Sequence, residues 1–376
     1  MAPTPTLTHD RWHADRHVRR DLDRLDRGET DHALMGLALD LARRGPLPDP
    51  NPRVGAVITA VDGRVAGEGF HAGAGTPHAE SMALARAGAA ARGGTAYVTL
   101  EPCAHRGRTG PCTEALLDAG IARVVYAQPD PNPVAAGGHA RLAAAGVSVE
   151  GGCRVAEATE INRAWSHAVA FGRPFVTWKY AASLDGYSAA ADGSSQWLTG
   201  PAARADVHDR RAECDAIMVG TGTALADDPH LTVRHQDGTL RDHRPLRVVA
   251  GRRDLPPGAN LHDDAAPTLR LTSHDPASAL ARLHAREIRH LWLEGGPTLA
   301  AAYLRAGLVD EVVAYLAPNL LGGGLAAIGD LGVTTLAQRL DLRIIDVTMI
   351  GPDLRVIARP AAPPAGSMPS LAKETC

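Results

Sequence analysis

Apolar and polar positions alternate along this chain with two periods, one of three to four residues and one of two. Residues 34–41 place apolar side chains on one helical face, and this helix is expected to end near Gly45. Val54–Ala60 and Arg64–Gly69 are short apolar segments that flank Asp62-Gly63, a favoured pair for a tight turn. The pattern therefore predicts a helix followed by a β-hairpin.

Helical and strand patterns continue to alternate after this hairpin. His78–Ala91 is rich in alanine and predicts a helix, and Tyr97–Leu100 predicts a strand that leads into a loop with two cysteines. Further elements are predicted as helices at Thr113–Ala119 and 140–145 and as strands at 124–126 and 147–149. Strands and helices in this order indicate a three-layer α/β/α domain.

A break in the pattern divides the chain into two halves. A helix predicted at Val155–Ala170 is followed by Gly172–Pro174, after which Phe175–Tyr180 starts a new series of strands. At 376 residues the chain exceeds the length that one hydrophobic core usually organises. We expect a charged, flexible extension at 1–30, an α/β domain at 31–172, a second α/β domain at 173–360 and a disordered tail at 361–376.

Composition narrows the classes of protein that fit. Apolar residues make up 45% of the chain, yet no apolar run reaches the roughly 18 residues of a membrane span, and the N-terminus lacks the order of a signal peptide. Five cysteines, three of them scattered at Cys153, Cys214 and Cys376, do not suggest a disulfide framework. We therefore expect a cytoplasmic protein that binds no membrane and, with a net charge of −3, no nucleic acid.

The candidate chemistry is concentrated in one segment of the first half. His78 and Glu80 form a His-x-Glu sequence at a predicted helix start, and Cys103 and Cys112 follow. One imidazole and two thiolates leave the fourth tetrahedral position of a zinc ion open for water, as in a catalytic site. Glu80 then serves as acid and base, which is the arrangement of zinc-dependent base deaminases. Each residue alone is commonly a helix start or a small buried side chain, so only the combination indicates the site.

Longer motifs around these residues resemble one family. Glu101–Cys112, together with Asn51–Gly55, Gly67–His71 and Asp130–Pro133, is similar to the bifunctional deaminase/reductase family of riboflavin biosynthesis. The resemblance implies a cytidine-deaminase-like domain with one Zn²⁺, which removes an amino group from the pyrimidine ring of a diamino-phosphoribosylaminopyrimidine. His, Arg and Thr side chains of the cysteine loop are suited to a polar, anionic substrate. The candidates for orienting the ring are Asn51, His71 and His105.

The second half resembles the reductase part of the same family in Lys179–Gly186, Ser195–Thr199 and Ala226–Arg234. The resemblance implies a dihydrofolate-reductase-like α/β domain in which NADPH reduces the ribosyl group, giving a phosphoribitylamino-uracil. Leu293–Leu299 is the candidate phosphate-binding turn, because a strand passes through paired glycines into a helix that is expected to start at Pro297. On the motif alone, an ordinary strand-to-helix turn remains the alternative.

Site residues of the reductase half are carried over by position from this resemblance. NADPH contacts are implied at Ala181, Trp197, Thr199, Thr223, Asp227, Gly296, Pro297, Thr298, Leu299, Ala300, Ala301 and Ala302. Substrate contacts are implied at Ser195, Arg211, Leu231, Arg234 and Glu294, where the two arginines suit a ribose phosphate. Gly251-Arg252 stands where the family often has Asp-Ser, so Arg252 either grips the cofactor's 2′-phosphate or is solvated. No proton donor is assigned, although Lys179, Asp185 and Glu294 lie near the implied site.

Two other functions are compatible with parts of this pattern. One is a deaminase of bases in RNA, but aromatic residues are only 4% of the chain and no basic run accompanies the zinc motif. The other is a lone reductase with a structural zinc, which leaves Glu80 without a role. A small-molecule substrate and a homo-oligomer are the expected partners.

Overall fold

The chain folds into two compact units. The computed structural model describes residues 26–105, 110–361 and 376. One unit runs to Ala170 and includes Cys376, and the other begins at Phe171. Most of the predicted extension at 1–30, Arg106, Arg108 and Thr109 of the cysteine loop, and nearly all of the predicted tail lie outside the described residues. None of the helices within these ranges is long and apolar enough to cross a lipid bilayer.

The first unit alternates helices and strands. Its first helix begins with a capping box that the sequence analysis missed, in which Asp26 and Glu29 each accept a backbone N–H of the other. The helices are α1 (Arg27–Ala42), α2 (Ala79–Ala87), α3 (Cys112–Asp118), α4 (Gly138–Ala144), α5 (Val155–Ile161) and α6 (Arg163–Phe171), and the strands are β1 (Gly55–Thr59), β2 (Val65–Phe70), β3 (Thr95–Leu100), β4 (Arg123–Gln128) and β5 (Ser148–Gly151).

These strands form one sheet in the order β2-β1-β3-β4-β5, covered on both faces. Ile58 of β1 lies in a core with α2, while its neighbour Val57 lies in a second core with α1. Glycines allow close contact on each side: a Cβ on Gly55 would lie 1.9 Å from Ala38 O in α1, and one on Gly69 would lie 2.2 Å from Ala79 O in α2. The predicted three-layer arrangement and the hairpin are confirmed.

The second unit is built on a larger, mostly parallel sheet. Its helices are α7 (Pro201–Arg211), α8 (Thr221–Asp227), α9 (Pro276–His284) and α10 (Pro297–Arg305). Its strands are β6 (Phe175–Ser183), β7 (Tyr187–Ala189), β8 (Ala216–Gly220), β9 (Leu246–Ala250), β10 (Thr268–Leu271), β11 (His290–Leu293), β12 (Glu311–Ala317), β13 (Leu325–Ala326), β14 (Leu342–Ile350) and β15 (Asp353–Pro360).

Eight of these strands pair in the order β10-β9-β8-β11-β6-β12-β15-β14. The strands from β10 to β12 are parallel, and β15 and β14 continue the sheet as antiparallel strands. Met218 on one face packs in a core with α9 and α10, and Val219 on the other face packs in a core with α7 and α8. The carboxyl ends of the parallel strands therefore lie at one edge, where ligands of open α/β sheets usually bind.

Two sequence interpretations are wrong in the first unit. The single helix expected at Val155–Ala170 is broken at Asn162, which separates α5 from α6. Cys153 and Cys376 form a disulfide, although the scattered cysteines did not suggest one. A spacing of 223 residues between the partners hides such a pair from any local pattern.

Candidate zinc centre and reductase site

The proposed zinc ligands come together at the ends of three elements. His78 is the N-cap of α2, Cys103 follows β3, and Cys112 is the first residue of α3. The ligand atoms of the three side chains all lie within 4.8 Å of one another, and His78 Nδ1 is 3.2 Å from Cys112 Sγ. This donor set and spacing fit a tetrahedral Zn²⁺ with a fourth position for another ligand.

Hydrogen bonds in this cluster lower the pKa of one of its two thiols, which favours the binding of a cation. Cys103 Sγ accepts the backbone N–H of Cys112 at 3.3 Å. The hydrogen bond from the Cys112 thiol lowers the pKa of Cys103 to about 4, and the same bond raises the pKa of Cys112. Both thiols would lose their protons on becoming ligands of a divalent cation.

Glu80 lies in the first turn of α2 beside this cluster, and its side chain is only 4% exposed. Burial raises the pKa of its carboxyl group, and the charge of Cys103 raises it further. Glu80 is not among the clustered ligands, so it is available to carry a proton. This place makes Glu80 the candidate for the acid and base of a base deaminase.

Asn51 and His71 lie beside His78 and are hydrogen-bonded to each other. His71 Nδ1 lies 3.2 Å from Pro77 O, so this nitrogen is the one that donates a hydrogen. His71 Nε2 then accepts from Asn51 Nδ2 at 3.1 Å, which fixes the orientation of the Asn51 amide. His105 is half-buried, and its Nδ1 has no hydrogen-bond partner among the described residues.

Asn162 is a positioning residue that sequence reasoning missed. Its Oδ1 accepts the N–H of Arg53 at 2.8 Å, and its Nδ2 donates to Arg53 O at 2.9 Å. The partners are 109 residues apart, so only the fold reveals the contact. From the junction of α5 and α6, Asn162 thereby anchors the segment that carries Asn51.

The candidate cofactor residues line the carboxyl edge of the second sheet. Thr223 Oγ1 accepts the N–H of Gly296 at 3.2 Å, which joins the start of α8 to the turn before α10. Gly296 is the N-cap of α10 and Pro297 its first residue, as predicted. The rest of the implied segment, Thr298, Leu299, Ala300, Ala301 and Ala302, forms the first turns of this helix.

Other implied cofactor residues lie on neighbouring elements. Ala181 belongs to β6, Asp227 is the last residue of α8, and Arg252 is exposed just after β9. Trp197 is 70% exposed, with the Arg204 guanidinium 4.5 Å above its ring, and Arg204 also donates to Thr199 O.

Arg211 and Glu294 form an ion pair at the same edge, with side chains that are only 14% and 11% exposed. Arg211 Nε donates to Glu294 Oε1 at 2.7 Å, its Nη2 donates to Oε2, and its Nη1 donates to Thr232 O at 3.2 Å. Trp292 Nε1 also donates to Glu294. Although burial opposes ionisation, Arg211 and Lys179 hold the pKa of Glu294 at about 2. Glu294 is therefore a carboxylate at neutral pH.

The other candidates near this pair have distinct environments. Burial lowers the pKa of Lys179, which interacts electrostatically with Glu294. Leu231 is 3% exposed, and the N–H of Arg234 donates to His208.

Asp185 accepts from Ser183 Oγ and from the N–H groups of Leu321 and Gly322, so its carboxylate organises a loop. Ser195 is half-buried, and its hydroxyl group makes no hydrogen bond to another described residue.

Comparison with known proteins agrees with this division of the chain. Residues 28–128 match the cytidine and deoxycytidylate deaminase zinc-binding region, and residues 174–356 match the RibD C-terminal domain. The riboflavin biosynthesis protein RibD of Mycobacterium tuberculosis is 51% identical over 306 residues, which cover 81% of this chain and 90% of that protein. RibD of Escherichia coli is 42% identical over 361 residues, covering 86% of this chain and 98% of that protein.

Solved structures give the same result. RibD of Acinetobacter baumannii is 39% identical with a TM-score of 0.80, and the match covers 89% of this chain and 100% of that one. A diaminohydroxyphosphoribosylaminopyrimidine deaminase/5-amino-6-(5-phosphoribosylamino)uracil reductase of Thermotoga maritima is 32% identical, with a TM-score of 0.81 and the same coverage. The chain therefore belongs to the RibD family of riboflavin biosynthesis, as a bifunctional enzyme that joins a zinc-dependent deaminase to an NADPH-dependent reductase.

Proposed function

We propose that this enzyme acts on the substrates named for its Thermotoga relative. The first half deaminates a diaminohydroxyphosphoribosylaminopyrimidine, and the second half reduces the ribosyl group of the resulting 5-amino-6-(5-phosphoribosylamino)uracil to a ribityl chain. The observation that carries the proposal is the cluster of His78, Cys103 and Cys112 with the buried Glu80 beside it.

In the deaminase half, His78, Cys103 and Cys112 hold the metal and Glu80 moves protons. Bound Zn²⁺ supplies a Lewis acid that makes water nucleophilic near neutral pH. The Glu80 carboxyl group takes a proton from the attacking water and returns one to the departing amino group, a task suited to its raised pKa. Asn51, held by His71, orients the pyrimidine ring through its amide, and His105 contacts the polar substituents.

In the reductase half, the carboxyl edge of the sheet holds the cofactor. NADPH supplies the hydride that reduces the ribosyl group. Backbone N–H groups at the start of α10, with Thr223, suit the pyrophosphate, and Arg252 suits the 2′-phosphate. Ala181, Trp197, Thr199 and Asp227 complete the proposed cofactor contacts.

Substrate binds in this proposal beside the Arg211–Glu294 pair. Glu294, which is ionised, accepts hydrogen bonds from sugar hydroxyl groups, and Arg211 orients it. Arg234 meets the phosphate, while Ser195 and Leu231 complete the contacts. Lys179 is the group in this cluster that carries a transferable proton, because burial brings its pKa down from the usual range.

A coupled assay tests the order of the two reactions. Zinc-loaded enzyme given the diaminohydroxyphosphoribosylaminopyrimidine should release ammonia without NADPH. NADPH that is added afterwards should be oxidised as the deaminated product is reduced. Absence of ammonia would contradict the proposed deaminase substrate. Ammonia release without any NADPH oxidation would contradict the proposed reductase substrate alone.

We also propose a cytoplasmic homo-oligomer that assembles through β14. This strand ends the large sheet, and no strand among the described residues pairs with its outer edge. Its apolar side chains are exposed, with Ile344 at 62%, Val347 at 53% and Met349 at 61%. Exposed apolar edge strands favour pairing with another chain, and a second copy offers an identical edge. Use of NADPH and of zinc-binding thiols favours the cytoplasm, where a disulfide such as Cys153–Cys376 would be exceptional.

Val347→Asp is expected to convert the oligomer to monomers, because it places a carboxylate in the middle of the proposed interface. Light scattering coupled to size-exclusion chromatography measures the mass. Val61→Asp, in an exposed turn of the first unit where Val61 is 77% exposed, is the matched control and should keep the wild-type mass. A monomeric wild type, or an unchanged mass for Val347→Asp, would contradict this interface.

A further inference from the structure

Glu101 has a buried carboxylate that the deaminase mechanism does not use. The residue follows β3 and precedes Pro102-Cys103, and it is 8% exposed. Its Oε1 accepts the N–H of His139 at 2.9 Å and of Gly137 at 3.2 Å, and its Oε2 accepts the N–H of Asp130 at 3.2 Å. Three backbone donors from residues 130–139 therefore converge on one side chain; this segment, hereafter the 130–139 loop, includes the first two residues of α4.

Two further contacts hold this loop against the turn that carries Cys103. The N–H of Ala104 donates to Ala135 O at 3.0 Å. A Cβ on Gly138 would lie 1.9 Å from Pro102 O, so the two backbones touch and only glycine fits. The Glu101 carboxylate fixes both ends of the segment that makes these contacts.

The loop also faces the metal-ligand cluster. The Asp130 carboxyl group interacts electrostatically with Cys103 and His105, and burial raises its pKa to about 6. Asn132 accepts the N–H of Val134 and its own N–H donates to Asp130, which shapes the turn. A displacement of this turn would change the wall of the site without removing a zinc ligand.

We propose that Glu101 is a positioning residue of the deaminase, whose carboxylate holds the 130–139 loop beside Cys103 as a wall of the substrate site. Because a charged acceptor satisfies three N–H groups together, its loss leaves buried donors without partners and releases the loop. The inference rests on the deaminase reaction proposed above. A role confined to folding would lower stability and leave the Michaelis constant of folded enzyme unchanged.

The test compares Glu101→Gln and Glu101→Asp with wild type. The glutamine keeps one acceptor oxygen but turns an NH₂ group toward a backbone donor. The aspartate side chain is too short to accept from all three backbone N–H groups. We expect KM for the pyrimidine to rise about tenfold in each variant, with kcat within about threefold of wild type. Zinc content and NADPH oxidation of the deaminated product should not change. Hydrogen exchange at Gly137 and His139 should accelerate about tenfold.

Glu157→Gln provides the matched control, because Glu157 pairs with Arg154 at a partly exposed position of the same unit. It should retain wild-type kinetics and exchange. Unchanged exchange at Gly137 and His139 would overturn the proposal, as would an unchanged KM in both zinc-loaded Glu101 variants or loss of the folded deaminase unit in both. If the wild-type enzyme releases no ammonia, the proposed deaminase substrate is wrong. Hydrogen exchange still tests the role of Glu101, because that measurement does not depend on the substrate.

Discussion

Glu80→Gln is expected to lower ammonia release by about three orders of magnitude, because general acid–base groups contribute about 10²–10⁴-fold to such reactions. Glu80 is buried beside Cys103 and Cys112, and burial raises the pKa of its carboxyl group. Glutamine has the same size and keeps a hydrogen-bonding oxygen, but it cannot take or return a proton. The loss therefore falls on the chemical step and not on the fold.

The measurement is kcat for ammonia release from zinc-loaded protein, with zinc content determined on the same sample. NADPH oxidation of the deaminated substrate should stay at the wild-type rate, which monitors the second unit. Glu157→Gln removes a carboxylate from an ion pair distant in sequence and should release ammonia normally. If Glu80→Gln released ammonia at the wild-type rate, Glu80 would not be the acid and base of the deaminase.

Residues close together in sequence account for what could be predicted of the zinc site. His78 and Glu80 lie at one helix start, and Cys103 and Cys112 flank one loop, so the local spacing already restricts the geometry. The strand-to-helix turn at Gly296-Pro297 was likewise predictable, because proline favours the first helical position. Both features follow from the conformational preferences of a few neighbouring residues.

Contacts between distant segments were not predictable in this way. Asn162, where the expected helix is broken, bonds the backbone of Arg53, and Glu101 binds backbone groups that carry no signature in the sequence. Arg211 was assigned to substrate by resemblance, yet two of its nitrogens bind Glu294 and a third binds Thr232 O. A pattern of residue types does not specify which partner satisfies a buried donor or acceptor.

Glu294→Gln is expected to lower kcat/KM for NADPH oxidation by about 100-fold, as loss of a preorganised charge at a reacting centre does. The Glu294 carboxylate binds Arg211 through two nitrogens and also accepts from Trp292. It raises the pKa of Lys179, which burial lowers, so its removal favours the neutral amine. Breaking a buried pair of this kind also costs about 3 kcal/mol of stability in the second unit.

Kinetics tests the role of Glu294 in the reaction, and acid unfolding tests its ion pair in the folded state. Asp209 lies on the same helix as Arg211 and pairs with Arg241. Asp209→Asn removes this carboxylate and should leave turnover unchanged. The folded-state pKa of Glu294 is depressed to about 2, so its contribution to stability is complete above about pH 4.5 and is lost as the pH falls toward 2. The difference in unfolding free energy between wild type and Glu294→Gln should therefore shrink across that interval. A constant difference would show that the ion pair does not depress the pKa of Glu294, and a variant that reduces the substrate at the wild-type rate would show that Glu294 does not organise the reductase site.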